Sequence, residues 1–270
     1  QGSFMQLAEV RTDGIADLLR ELRDTQLEGL ARFFETNPGA TQEDFGRYCG
    51  YLVKNPAIQA WEWIPAVKAG EKEAFEKRAR SGGIKDFHIW QRDGSGKIQP
   101  AAGRDAYYPV FFVAPLAGNE KALGYDLGSE PLRRTALETA LYTRFRTATD
   151  TIKLVQEDGT QKGMLIFHPV FRTDDPRHVR GFALAVLRMD SLLKGTIADN
   201  AAVVELALLK ANSAPETLAR SEEAVPKASG LSVIRPVFAF GRVFAVSAYP
   251  GPGFLHLHPA RAALLTVLIG

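Results

Sequence analysis

The sequence predicts an α+β fold, with a long N-terminal helix and two small antiparallel-sheet modules, and three patterns carry that expectation. Ile15, Leu19, Leu22, Leu30 and Phe33 recur at helical spacing. Tyr107 to Arg172 reads as strand, glycine-punctuated turn, helix and two strands joined across Asp158-Gly159, a pair that tolerates positive φ. After Arg172 the theme repeats, with Phe182 to Leu187, Val203 to Leu209, LSVIRPVFAF and RVFAVSAY as strands.

Bulk properties narrow the classes of function. The chain has 270 residues and 46% apolar content, enough to bury one large core or two modest ones. Its net charge is +2, and no window gathers the basic residues that a nucleic-acid groove needs. Cys49 is the single cysteine, which excludes an intrachain disulfide and a multi-cysteine metal site.

In chain order, Gln1-Gly2-Ser3-Phe4 reads as a cloning remnant ahead of Met5. The first helix has a narrow apolar stripe, broken by Gln26, that could pack on the domain core or on a second copy of itself. Asn37-Pro38-Gly39 ends it, and Thr41 caps a new helix with Glu43 and Asp44 in its first turn. Trp61 and Trp63 share one face of an extended segment. Glu71 to Arg80 is a charged helix with Phe75 inward, stopped at Ser81-Gly82-Gly83. A strand and a turn at Asp93-Gly94 follow. The run Gly94-Ser95-Gly96-Lys97 is no phosphate loop, because Ile98 follows the lysine and the earlier glycine is missing.

Ser129, Glu130 and Pro131 announce the helix of the central unit. The polar TDDPRH segment after Arg172 reads as an interdomain linker, and Asp190 as the cap of a short helix carrying Leu192 and Leu193. The final AALLTVLIG run is too short to span a membrane, for which roughly 20 apolar residues are needed. It is either a closing strand or core helix, or the first residues of a transmembrane helix with Arg261 at the interface.

No catalytic constellation assembles. His256 and His258 would share one face of a strand but lack a third ligand, so no metal and no cofactor is expected. There is no G-x-S-x-G elbow, and Cys49 has no base near it in sequence. A small-molecule pocket is the better reading. On GMLIFHPV, Met164, Ile166 and His168 point to one side, Leu165 and Phe167 to the other, and one set must face the helix. Asp126, a lone acid between apolar neighbours, is either a ligand-accepting carboxylate or a turn and cap residue. Thr143 is likewise either a site hydroxyl or a helix-end hydroxyl.

At these residues the chain resembles the CHASE sensory domain, the extracytoplasmic input module of bacterial histidine kinases and nucleotide cyclases and of plant cytokinin receptors. The resemblance covers roughly Ile58 to Arg172. It rests on FEKRAR, on Asp105-Ala106-Tyr107-Tyr108-Pro109-Val110, on Leu123-Gly124-Tyr125-Asp126, on RRTALETA, and on Leu154 through Phe171 ending in HPVFR. It implies two PAS-like modules along the N-terminal helix. Residues 1–55 would be a helical stalk, 56–172 a membrane-distal ligand-binding module, 173–257 a membrane-proximal module and 258–270 a juxtamembrane segment. It places a small organic ligand, adenine-like in the plant receptors, against Asp126 and Thr143. Trp90, Tyr108, Val110, Leu127, Met164 and Ile166 would line the site. It further implies flanking transmembrane helices, a homodimer through the N-terminal helix, a periplasmic or extracellular location, and a kinase or diguanylate cyclase as cytoplasmic effector. On this reading Asp126→Ala keeps the fold and loses only the ligand's stabilising effect. The alternative is a ligand-free interaction module whose cavity is filled by Phe111, Phe112, Phe167 and Trp90.

Overall fold

The computed structural model describes residues 2–153, 162–194, 200–222 and 231–257. The helical N-terminal run is α1 (Gly2–Glu21), a π-helical segment (Leu22–Gln26) and α2 (Leu27–Thr36), followed by α3 (Gln42–Cys49). Next come β1 (Ile58–Pro65), β2 (Val67–Lys68), α4 (Lys72–Ser81), β3 (Trp90–Arg92), β4 (Ile98–Pro100), β5 (Ala106–Tyr107), β6 (Phe112–Ala114) and α5 (Pro131–Thr143). After them lie β7 (Thr147–Ala148), β8 (Ile152–Lys153), β9 (Lys162–Phe171), β10 (Val179–Arg188) and α6 (Met189–Lys194). The last elements are β11 (Ala202–Leu209), β12 (Glu216–Arg220), β13 (Val233–Ala239), β14 (Arg242–Pro250) and α7 (Pro252–Leu257). The fold is α+β, with a long N-terminal helix and antiparallel sheets, as the sequence predicts.

The chain forms two compact units, Leu22–Arg188 and Gln1–Glu21 with Met189–Gly270. In Leu22–Arg188 the sheet runs β6-β1-β10-β9-β7, antiparallel throughout, with β8 also on β9. By position in the chain its five-strand path reads second, first, fifth, fourth, third, the order of a PAS-like module. Period-2 alternation sends Trp61 and Trp63 to one face of β1 and Ala60, Glu62 and Ile64 to the other. On the first face Phe34 of α2 stacks on Trp63 with ring centroids 4.0 Å apart and planes 16° apart. Phe45 of α3 meets Phe112 at 5.7 Å on that side. On the opposite, inner face Ala136, Leu137 and Ala140 of α5 pack with Ala60, Ile64, Phe167 and Phe182.

Local signals act where they stand. Thr41 and Asp44 make a reciprocal capping box on α3. Glu130 caps α5, accepting from the N–H groups of Leu132 and Arg133, with Pro131 in the first turn. Asp93 Oδ1 accepts from the N–H groups of Ser95 and Lys97 in the β3–β4 turn.

Two boundaries differ from the sequence reading. The TDDPRH segment is the turn of the β9–β10 hairpin, and β10 is the inner strand between β1 and β9, so the first sheet extends to Arg188 and does not end at Arg172. The physical reason is in β10 itself: GFALAVL is a continuous buried run, which needs cover on both faces and strands on both sides. The segment expected as one stalk over 1–55 divides between the units. In its own unit α1 buries Phe4, Ala8, Thr12, Ile15 and Leu19 and packs on β13, β14 and β11. Phe4 meets Phe254 at 5.4 Å, and Asp13 pairs with Arg235 at 2.8 Å.

The second sheet runs β12-β11-β14-β13. Its edge strand β12 falls in a stretch that reads as a polar loop, because Glu216, Thr217 and Arg220 carry its pairing positions. His256 sits on the helix α7, not on a strand, and is exposed; His258, the Asp158-Gly159 turn and the AALLTVLIG tail lie outside the described residues. Among the described residues no helix is long and apolar enough to cross a membrane.

Candidate functional site

The site region is built from loops gathered over the inner face of the Leu22–Arg188 sheet. Residues 122–129 are stitched between Trp90 and the segment 108–110. Gly124 N–H donates to Val110 O at 2.8 Å, Val110 N–H to Tyr125 O at 3.0 Å, and Leu127 N–H to Tyr108 O at 3.0 Å. On the other side Trp90 N–H donates to Gly124 O at 2.9 Å and Asp126 N–H to Trp90 O at 2.9 Å, while Trp90 Nε1 donates to Leu123 O at 2.7 Å. Gly124 has φ +79°, and a Cβ there would lie 2.1 Å from His88 O, so the loop passes where only glycine fits.

Asp126 is fully buried at the centre of this weave. Its Oδ1 accepts from Tyr108 N–H at 2.8 Å and Gly128 N–H at 3.1 Å. Its Oδ2 accepts from Arg104 Nη2 at 2.6 Å and Nε at 3.1 Å. Arg104 also donates to Gln91 Oε1 and lies 5.5 Å over the Tyr107 ring. Both carboxylate oxygens are thus engaged by the chain itself. Asp126 acts as cap and cross-link, the turn reading of this residue, and it holds Tyr108 in place.

The other predicted residues divide. Trp90, Val110 and Leu127 are buried in one apolar cluster of the inner face, with Tyr108 half-buried against it. The ring of Tyr108 meets Phe182 edge-on at 5.8 Å. Burial raises the Tyr108 hydroxyl pKa, and the charges of Asp126 and Glu138 add to the rise. Leu165 and Phe167 are the β9 residues on this face. Met164 and Ile166, expected to line the site, project from the opposite side of the strand with His168, whose Nε2 reaches Glu28 of α2 at 3.0 Å. Thr143 ends α5 exposed, its hydroxyl donating to Thr139 O at 2.8 Å, so it is not joined to the buried cluster. Of the four aromatics proposed as fillers, Trp90 and Phe167 lie in the inner-face core. Phe111 packs with Phe75 and Phe87 instead, and Phe112 with Phe45.

Sequence reasoning passed over two inner-face charges. Glu62 is 2% exposed on β1, and Arg133 is 7% exposed on the buried stripe of α5. The signal was in the spacing: Glu62 alternates with Ala60 and Ile64, and Arg133 precedes Ala136, Leu137 and Ala140 at helical intervals. Two open clefts lie elsewhere, one of about 590 Å³ at the α2–α3 connection and one of about 460 Å³ between Glu35, Phe171 and Arg180. Neither is lined by any predicted site residue.

The Leu22–Arg188 unit is thus a PAS-like α+β module, with a helix on the inner face of its sheet and loops woven over one side. The family model of the CHASE domain matches residues 38–219, about two-thirds of the chain, and the protein belongs to that family. No curated protein sequence matches the chain. Among solved structures it is similar to an extracellular ligand binding receptor from Desulfohalobium retbaense, at 12% identity and TM-score 0.53, over 90% of this chain and 39% of that one. That likeness is one of fold, and the chain spans 39% of that receptor's length. The periplasmic domain of RsbU from Chlamydia trachomatis aligns at 10% identity and TM-score 0.44, over 96% of each chain. The periplasmic sensory domain of the Campylobacter jejuni chemoreceptor Tlp1 aligns at 11% identity and TM-score 0.42, over 94% of each chain.

Proposed function

We propose that this sensory domain binds a small organic ligand on the inner face of the Leu22–Arg188 sheet, and signals from there through a transmembrane receptor. The observation that carries the reading is the loop weave centred on Asp126. Three segments, carrying Trp90 at the start of β3, Tyr108 and Leu127, are hydrogen-bonded together over one side of the sheet, the usual way a scaffold presents a binding surface. Asp126 orients Tyr108, and Tyr108, Val110, Trp90 and Leu127 supply the walls. The effector is a cytoplasmic histidine kinase or diguanylate cyclase reached through flanking membrane helices. A homodimer would use the solvent side of α1, where Val10 is 68% exposed, since the apolar stripe is already buried. Signalling requires that the ligand favour one receptor state, each tenfold preference being worth about 1.4 kcal/mol.

A thermal-shift screen over purines, amino acids and carboxylates tests the reading. A binder should raise Tm in the parent and in Tyr142→Ala, on the outer side of α5, but not in Tyr108→Ala. A binder that stabilises Tyr108→Ala as much as the parent places the ligand elsewhere. The ligand-free interaction module draws on a different surface: Tyr142 is 91% and Phe145 75% exposed at the end of α5. A Tyr142→Ser, Phe145→Ser protein that loses self-association or partner capture, in a domain no compound stabilises, would favour that module.

A further inference from the structure

On the inner face two buried ionisable groups of opposite type, Glu62 and Arg133, lie close enough for the arginine's charge to act on the carboxyl, and among the described residues they form no ion pair. Glu62 lies on β1 between Ala60 and Ile64, both wholly buried core residues. On α5 the buried stripe is Arg133, Ala136, Leu137 and Ala140, so the arginine takes a place where that stripe otherwise carries aliphatic side chains. The Arg133 guanidinium lies 5.5 Å over the Tyr125 ring. Its Nη1 makes a long contact, 3.3 Å, to Glu130 Oε2, and among the described residues its buried Nε finds no acceptor. Among the described residues no hydrogen bond reaches the Glu62 carboxylate. Burial pushes Glu62 up to about 8, and the field of Arg133 works the other way.

Desolvating an ionic group costs several kcal/mol unless it is paired and its hydrogen-bonding positions are filled. A chain that had only a core to build would place leucine at both positions. Here both groups are buried in one inner-face layer, each with hydrogen-bonding capacity still open among the described residues.

We propose that Glu62 and Arg133 are the recognition pair for a small zwitterion of the α-amino-acid class, its carboxylate on Arg133 and its ammonium on Glu62. The inference rests on the inner face being the ligand site and narrows what that site takes. A guanidinium is a planar fork matched to a carboxylate, and the open Nε is one prong of it. A buried carboxylate accepts from an ammonium, which brings three donors. A neutral ring such as adenine could donate to Glu62 but brings no anion for Arg133. A simple carboxylate answers Arg133 and leaves Glu62 as it was. The rings of Tyr125 and Tyr108 give the side chain of such a ligand an aromatic wall.

The test uses thermal shift with four sets of probes: the standard L-α-amino acids, their decarboxylated amines, their deaminated acids, and adenine. At least one amino acid should raise Tm at a concentration where neither its amine nor its acid does. E62Q and R133K, each confirmed folded by circular dichroism, should weaken that amino acid at least tenfold. Arg133→Lys keeps the charge and removes the fork, so undiminished binding there overturns the role of the guanidinium. If either variant misfolds, the comparison of the amino acid with its two halves on the unaltered protein still decides. An amine or acid that shifts Tm as strongly as the amino acid overturns the zwitterion. If adenine alone acts, and Tyr108→Ala abolishes its effect, the inner-face site stands and the zwitterion falls. If no set acts, both fall.

Discussion

Glu28 on α2 and His168 on β9 are joined by a 3.0 Å contact between Oε2 and Nε2, while His168 Nδ1 faces the Pro169 carbonyl at 3.1 Å. Both ring nitrogens therefore lie within hydrogen-bond reach of oxygen atoms. Arg146 and Arg32 complete the shell of Glu28. The cluster ties α2 to the outer face of the sheet.

Burial alone would raise the pKa of Glu28, but bonds from His168, Arg32 and Arg146 outweigh it and hold the carboxyl at about 2, below its ordinary 4.5. A depressed carboxylate contributes stability that is complete above 4.5 and drains away as pH falls toward 2. Glu28→Gln should cost about 1 kcal/mol at neutral pH, modest because solvent reaches the group, and should flatten the acid limb of the Tm–pH curve. Superimposable acid-unfolding curves for the variant and the parent would count against the clamp.

Asp126→Ala should unfold more readily, contrary to the sequence reading in which it affects only the ligand. Removing the carboxylate strands Arg104 together with the Tyr108 and Gly128 N–H groups. Breaking a buried ion pair from one side costs roughly 3–5 kcal/mol, and the partial exposure of Arg104 points to the lower end. A urea midpoint within error of the parent's would show that the weave does not depend on Asp126.

Gly124→Ala and Gly118→Ala separate steric crowding from backbone preference. Both positions have positive φ, +79° and +83°, but a Cβ at Gly118 meets open space while one at Gly124 lies 2.1 Å from a carbonyl oxygen. The Gly118 variant should lose about 1–2 kcal/mol from the left-handed conformation alone. The Gly124 variant should lose at least about 1 kcal/mol more and displace the Trp90 loop. Equal losses by chemical denaturation would mean that the loop relaxes around the added methyl.

What was legible in the sequence is what local chemistry controls. The capping box at Thr41, the Asp93 turn and the Pro131 helix start all formed where their residues stand, because each needs partners only a few positions away. The membership of β10 was not legible, since a polar turn such as TDDPRH looks the same between domains as between hairpin strands. Asp126 shows the same limit within the site. Its neighbours in sequence suggested an unpaired carboxylate, but Arg104, 22 residues away, closes it. Glu62 and Arg133 were readable from periodicity, and went unread because charged residues are ordinarily assigned to the solvent side.

Glu62 gives the molecule a pH dependence of unusual sign. An acid whose folded pKa stands at about 8 against an ordinary 4.5 binds its proton more tightly in the folded state, so stability falls as pH rises between those values. The limiting slope is about 1.4 kcal/mol per pH unit. The group that opposes this is Arg133 from α5; the strand positions paired with Glu62, Leu184 on β10 and Val113 on β6, are apolar. Glu62→Gln should therefore match the parent near pH 4.5 and exceed it near pH 8 in ligand-free protein. Arg133→Met removes the opposing charge, so the parent's decline should steepen at the upper end of the window. Parallel Tm–pH curves for Glu62→Gln and the parent across that range would place the Glu62 carboxyl in contact with water and remove the desolvation on which its pairing with a ligand depends.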